Sequence, residues 1–341
     1  MPVTKVVILN WNGSAHLRTF LPSVIRTTPS DIGIVVADNG STDDSRNVIR
    51  LEFPSVELLE LDANYGFAGG YNRALSRIEA DYFILLNSDV ATTEGWCEPL
   101  VAALDNNLSL AAVQPKIRAY TSPDNFEYAG ACGGFIDALG YPFCRGRILQ
   151  CVETDNGQYD ISRRCFWASG ACMACRSEAF FRTGGFDEDF FAHMEEIDFC
   201  WRAQRYGYSI AVEPASVVYH LGGGTLPTNS PRKTYLNYRN NLYMLYKNLP
   251  SGRLWYVMPL RMCFDGLSAA VYLLQGRLTL VKQVWRAHMD FYKALRSLRI
   301  KRRLIHANTS PDLYKQIFEV IYHGSIVMRY YVGKRKFGNM M

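Results

Sequence analysis

No part of the 341-residue chain is an uninterrupted apolar run of bilayer length. A spanning helix needs about 20 consecutive apolar residues. The nearest approach, residues 254–274, is broken by Pro259, Arg261, Asp265 and Gly266, and a charge at a helix centre costs roughly 2.5–3.5 kcal/mol on insertion scales. This segment is expected to lie on a membrane surface or to pack against the rest of the chain. No charged and apolar leader precedes the first buried-strand pattern at Lys5, so the nine cysteines are expected to be free thiols in a reducing compartment. Cys172 and Cys175 form a C-x-x-C with no second pair at zinc-ligand spacing; both read as small core residues. Lysine is missing from residues 10–17 and 64–72. Its absence from the first argues against the triphosphate loop of a nucleotidyltransferase. The second matches neither G-x-x-x-x-G-K-[ST] nor G-x-G-x-x-G, which argues against a P-loop ATPase. Acids are scarce in residues 232–341, four against 20 Lys+Arg, whereas residues 1–231 hold 28 against 17. A formal net charge of +5 hides this polarity. A tail without anions of its own is expected to meet something anionic.

What is present describes a globular chain, 48% hydrophobic and 20% charged, which excludes a disordered or fibrous class. Residues 5–9, 32–37, 56–61 and 82–86 are short apolar runs of the kind buried in a parallel sheet. Residues 14–28, 44–53 and 70–79 have helical spacing, with Leu17, Phe20, Leu21, Val24 and Ile25 forming the apolar stripe of the first. This alternation predicts an α/β fold with a mostly parallel central sheet flanked by helices. Residues 110–165 show no clear period, and from 232 the pattern is helical and basic. Ligands of such sheets bind beyond the carboxyl ends of the strands. Four polar clusters fall there: Asn10-Trp11-Asn12, Asp38–Asp43, a glycine-rich loop at Asn64–Gly70, and Asn87-Ser88-Asp89.

Asp89, at a strand end, is a carboxylate of the type that shares Mg²⁺ or Mn²⁺ with a phosphate. The segment 64–72 offers glycines for close backbone approach and a helix N-terminus for an anion. Six acids lie within residues 187–198. On a helix from 195, Glu195, Asp198 and Arg202 share one face and Glu196 is turned about a quarter away. A carboxylate in a crevice can take a proton from a hydroxyl. His220 precedes a glycine run and suits a metal or a diphosphate. Each residue alone has an ordinary explanation as a cap, a turn or a helix start; the set in order carries the signal.

Taken together, Val6–Gly13, Asp38–Asp43, Asn64–Asn72, Asn87–Asp89, Trp167–Gly170, Gly185–Asp187, Glu195–Asp198 and His220 resemble the family 2 glycosyltransferases, inverting enzymes of the GT-A fold, and most of all their bacterial rhamnosyltransferase-like branch. The resemblance spans roughly residues 4–248. It implies a GT-A domain over residues 1–231 and a basic, amphipathic helical extension over 232–341. It implies a nucleotide-diphospho-sugar donor held around Asn10, Asn12, Asp38, Asn39, Asn64, Gly66, Gly69, Asn72 and Asn87, with Arg202 toward the diphosphate or paired with Asp198. A divalent metal would sit on Asp89 and His220. Trp167, Ser169 and Gly170 would line the sugar and acceptor site. Glu196 would be the base, supported by Glu195 and Asp198. Two positions depart from the family pattern. Asn87 stands where an acid is frequent, so the metal site is weaker or rests on Asp89 and His220 alone. Glu195-Glu196 replaces a Glu-Asp pair, which puts Glu196 only narrowly ahead of Glu195 as base.

The implied reaction is transfer, with inversion, of a sugar to a glycan or lipid-linked hydroxyl in cell-surface polysaccharide biosynthesis. L-Rhamnose from dTDP-rhamnose is the first choice, with a UDP-hexose or UDP-N-acetylhexosamine next. An inactive GT-A homologue acting as a membrane-bound scaffold is the alternative. The basic tail alone would suit nucleic acid. Trp255, Tyr256, Trp285, Phe291 and Tyr292 among its Lys and Arg suit an anionic membrane better, so no nucleic-acid partner is expected. The implied location is the cytoplasm, peripheral on the inner face of a bacterial inner membrane.

Overall fold

A computed structural model describes residues 2–222, 230–307, 309, 311–338 and 340. Its centre is a ten-stranded sheet. Strands Thr4–Asn10, Gly33–Asn39, Glu57–Leu61 and Tyr82–Asn87 run parallel in it. Val6, Val7, Ile8, Val35, Val36, Ile84, Leu85 and Leu86 are fully buried there, as expected for β-branched and aliphatic runs covered on both faces. Helix Ser14–Thr27 buries Leu17, Phe20, Leu21 and Val24 along one stripe, the predicted periodicity. The sheet is mixed rather than mostly parallel. Cys172–Arg176 enters antiparallel between Tyr82–Asn87 and Leu110–Ala119, and Ser209–His220 then lies parallel to Leu110–Ala119. All nine cysteines are free, and Cys172 and Cys175 are buried, in keeping with a core role.

Two regions differ from the sequence expectation. The glycine-rich segment is mostly helix, Gly66–Leu75, rather than a loop up to residue 70. Gly70 fits closely there: a Cβ would come within 2.9 Å of Leu9 and of Asn39 Nδ2, so those side chains would have to shift. The aperiodic stretch 110–165 contains strand Leu110–Ala119 and most of a second, five-stranded sheet. The strands of that second sheet have two to four residues, too few to show a period of two.

The basic extension is built into the same body. Strand Ile321–Tyr322 completes the second sheet beside Gly134–Asp137, and Phe337 packs with Phe135, Phe143 and Tyr159. Helices Pro231–Asn248 and Leu278–Ala307 bring Lys247 and Lys301 onto Asp187, at 2.5 Å each. Part of what the anion-poor tail meets is thus the acid-rich segment of its own chain.

Candidate active site

The polar clusters converge at the carboxyl edge of the parallel strands. Asn10 Nδ2 lies 3.4 Å from Asp38 Oδ1 and 3.3 Å from Ser41 Oγ. Asp38 Oδ2 accepts from the Ser41 amide and from Arg46 Nε, which leaves Oδ1, among the described residues, with the long Asn10 contact. Asn12, left-handed at φ 50°, accepts the Thr42 and Asp43 amides. Asn39 and Asn64 tie down the next loop: Asn39 Nδ2 donates to Gly66 O, its Oδ1 accepts from Tyr65 N, and Asn64 Oδ1 accepts from Gly66 N. Gly69 sits in the first turn of the following helix, buried. The N-terminus of that helix is already engaged, because Phe67 N and Ala68 N both donate to Phe191 O. Gly66 permits this approach: its φ is +70°, and a Cβ would lie 2.5 Å from that carbonyl. Asn72 is bonded through both amide atoms to the Phe186 backbone and so organises the 185–188 turn.

Register places His220 beside Asp89. Ser209–His220 pairs antiparallel with Val90–Thr92, His220 opposite Val90, and Leu221 N donates to Asp89 O. His220 Nε2 then stands 3.2 Å from Asp89 Oδ1 and 3.4 Å from Asn87 Nδ2, while Nδ1 faces Glu127 Oε2 at 3.4 Å. Burial disfavours an imidazolium here, but hydrogen bonding to Asp89 and Glu127 and their charges outweigh it and raise His220 to about 10. Burial likewise works against the Asp89 carboxylate, and His220 reverses that to leave it below its usual range. Glu127 lies in the aperiodic stretch and went unseen in the sequence. The glycine run from 223 to 224 lies outside the described residues.

A metal can be tested against this geometry. Two cis ligands at 2.0–2.1 Å from an octahedral Mg²⁺ stand about 3 Å apart, close to the 3.2 Å between Asp89 Oδ1 and His220 Nε2. A carboxylate behind the other ring nitrogen is the usual orienting partner of a ligating histidine, and Glu127 occupies that place. The pair fits a divalent cation shared with substrate phosphates where the cation takes the place of the His220 proton, since a ligating imidazole is neutral. No group of three or more His, Cys, Asp or Glu side chains forms a ready-made cage among the described residues.

Helix Glu195–Arg205 opens with Glu195 and Glu196. One carboxylate oxygen of each, Oε2, is buried without a hydrogen-bond partner among the described residues. Burial and then the neighbouring Glu196 charge push Glu195 well up. Burial also raises Glu196, to about 7, against backbone N–H groups at the helix start that favour its anion. Glu195 is buried, whereas Glu196 is partly open beside Gly170 and Phe67. Lys233, at the start of helix Pro231–Asn248, is within electrostatic reach of both Glu127 and His193. That joins the Asp89–His220 side to the loop before Glu195.

Four sequence-selected residues face elsewhere. Asp198 is fully buried on Arg202 Nε, Lys247 Nζ and Asn248 Nδ2 at 2.8, 3.0 and 2.7 Å. Arg202 spends its remaining nitrogens on Thr183 O and Gly185 O, so it pairs with Asp198 and does not point toward a diphosphate. Trp167 is a core residue whose Nε1 donates to Phe135 O. Ser169 is buried between Ala129 O and Gln114. Gly170 borders Glu196.

The family description "Glycosyl transferase family 2" matches residues 5–178. An N-acetylglucosaminyl-diphospho-decaprenol L-rhamnosyltransferase of Mycobacterium tuberculosis is 29% identical over 283 residues, 77% of this chain and 90% of that protein. The succinoglycan biosynthesis protein ExoA of Rhizobium meliloti is 25% identical, covering 83% of this chain and 82% of that one. Among solved structures, S. aureus TarS 1-349 in complex with UDP-GlcNAc superposes with a TM-score of 0.57 at 16% identity over 97% of this chain and 92% of that one. A mannosyltransferase of Pyrobaculum calidifontis, solved with GDP-Man and Mn²⁺, gives 0.50 at 14% over 88% and 87%. These structural likenesses show the GT-A fold.

Proposed function

We propose that this chain, which belongs to glycosyl transferase family 2, moves L-rhamnose from dTDP-rhamnose to a hydroxyl of a lipid-linked glycan. The work is done at an anionic cytoplasmic membrane surface, in cell-surface polysaccharide synthesis. The observation that carries the reading is the partly open Glu196 beside Gly170, whose neighbour Ala171 accepts from Asn87 N, two residues before Asp89. Asn10, Asn12 and Asp38 frame the nucleoside. Glu196 takes the proton of the acceptor hydroxyl. The acceptor oxygen bonds to the anomeric carbon as the bond to the diphosphate oxygen breaks on the opposite side, its electron pair leaving with the nucleoside diphosphate. One base and no covalent nucleophile give inversion. Asp89 and His220 would hold Mn²⁺ or Mg²⁺, which supplies positive charge for the departing diphosphate. The rhamnosyl donor and lipid-linked acceptor are carried over from the M. tuberculosis relative. The test is a transfer assay with dTDP-, UDP- and GDP-sugars and a polyprenyl-diphospho-N-acetylglucosamine. Rhamnosyl transfer is expected; transfer from a UDP-sugar would replace the donor assignment, and no transfer by folded protein would leave a scaffold.

The membrane part rests on helix Ser251–Leu274, the one described helix long and apolar enough to cross a bilayer. It is inside out. Its two central charges are buried, while Arg253 near its start is half-buried: Arg261 pairs with Asp265 at 3.0 Å and stacks on Tyr141, and His288 reaches Asp265 at 3.2 Å. Its exposed stripe is Leu260, Leu267, Val271 and Leu274, with Trp255 near its start. Trp285, Arg277, Lys282, Arg286 and Lys293 are exposed on and before the next helix. A helix with buried charges packs on protein by that face and leaves the other for lipid, with cations for anionic headgroups. Vesicles with phosphatidylglycerol are expected to sediment the chain. Leu267→Glu with Leu274→Glu is expected to weaken binding at least about 10-fold, since each Leu contributes roughly 1.5–3 kcal/mol of apolar burial. Unchanged sedimentation would sink the membrane assignment.

A further inference from the structure

We propose that Asn240 is a positioning residue, a clamp from the C-terminal helices that holds the loop before Glu195 and Glu196 in its working shape. The inference rests on the reading of that pair as the site of the base. The loop is strained. Phe191, His193 and Met194 have φ of 62°, 71° and 74°, three left-handed non-glycine residues within four positions. Such conformations persist only where the surroundings over-determine them.

The over-determination comes from helix Pro231–Asn248. Asn240 Nδ2 lies 3.0, 2.8 and 2.7 Å from the carbonyl oxygens of Phe190, Ala192 and His193. Its Oδ1 accepts from Arg239 Nε at 2.9 Å, which fixes the amide orientation. Arg239 itself donates to Asp189 O and Phe190 O. Asn240 is fully buried, so without it these carbonyls would lose a donor that water does not readily replace. From the clamped loop two arms diverge. Met194 leads directly into Glu195 and Glu196. Phe191 O receives Phe67 N and Ala68 N at 2.7 and 3.3 Å, docking the loop against the helix that borders the nucleotide crevice. Asn240 therefore fixes the base relative to the donor side. The sequence region treated as an extension beyond 231 is a working part of the active site.

The test is Asn240→Asp, which keeps the shape, loses the donors and sets an acceptor oxygen against three carbonyls. We expect kcat to fall about 100-fold, the scale of a base displaced by about 1 Å, with donor KM within about 3-fold. Amide exchange in residues 187–194 should speed up about 10-fold while the central strands keep their protection. Asn240→Ser, smaller and without the repulsion, should show the same split with a smaller loss, and carries the test should the Asp variant not fold. A folded variant with wild-type kcat, or with exchange in 187–194 unchanged, overturns the clamp. If the wild-type chain transfers no sugar, the glycosyltransferase reading fails, and the exchange comparison still decides for or against the clamp.

Discussion

Glu196→Gln is expected to bind donor like the wild type and to transfer sugar about 10²–10⁴-fold more slowly, the range typical for loss of a general base. Gln keeps the size and the hydrogen bonds of the helix start but takes no proton. Glu195→Gln should cost less, because Glu195 is buried while Glu196 is partly open. The pH dependence has a definite sign. Burial raises Glu196 to about 7, so wild-type kcat should rise with pH through about 7, as the carboxylate forms, and the Gln variant should lose that limb. Stability runs the other way. A carboxyl raised in the folded state holds a proton that the unfolded chain has released above its ordinary range near 4.5. Stability therefore falls as pH rises from there through about 7. Glu196→Gln removes that penalty and should melt higher than wild type at pH 8, the trade of stability for activity common at strained sites. A Gln variant that keeps wild-type kcat would remove Glu196 from the mechanism.

Lys247→Met should have the largest effect on stability, about 3–5 kcal/mol, the cost of breaking a buried ion pair from one side. Lys247 Nζ touches Asp187 at 2.5 Å and Asp198 at 3.0 Å. Met fills similar volume but leaves Asp198 with Arg202 and Asn248 and Asp187 with Lys301 and the Asp189 amide. Burial opposes the Asp187 carboxylate, and Lys247 and Lys301 overcome it, holding the group well below the usual carboxylate range. The stability this provides is fully present above about pH 4, the ordinary aspartate range, and is lost as pH falls toward the depressed value. Urea unfolding at pH 7 measures the first, and a series from about pH 5 down to about pH 2 the second. Wild-type stability in Lys247→Met would show that this network does not hold the extension to the catalytic loop.

The contrast between what was legible in the sequence and what was not follows contact distance along the chain. Strands such as Tyr82–Asn87 announce themselves because a run covered on both faces must be apolar throughout. The polar strand ends Asn10, Asp38 and Asp89 were legible because that edge of a parallel sheet is where ligands go. Roles set by distant partners left no local mark. Arg202 at a helical spacing from Asp198 reads equally as a diphosphate ligand until Thr183 O and Gly185 O claim its nitrogens. Trp167 and Ser169 sit inside a motif, yet their contacts are Phe135 and Gln114, which fold them into the core. Glu127 and Asn240 lie 93 and 20 positions from His220, respectively, in stretches without a motif, and only tertiary packing brings them to the site. The basic tail was legible as a charge excess, but not as the partner of Asp187.

The most direct test of the central claim is a calorimetric titration of dTDP-rhamnose into wild-type chain and Asp89→Ala, each with and without Mn²⁺. Saturable binding that needs Mn²⁺ and is lost in Asp89→Ala is the predicted result. Absence of binding by folded wild-type protein, or equal binding by Asp89→Ala with Mn²⁺, would contradict a donor site built on Asp89 and His220.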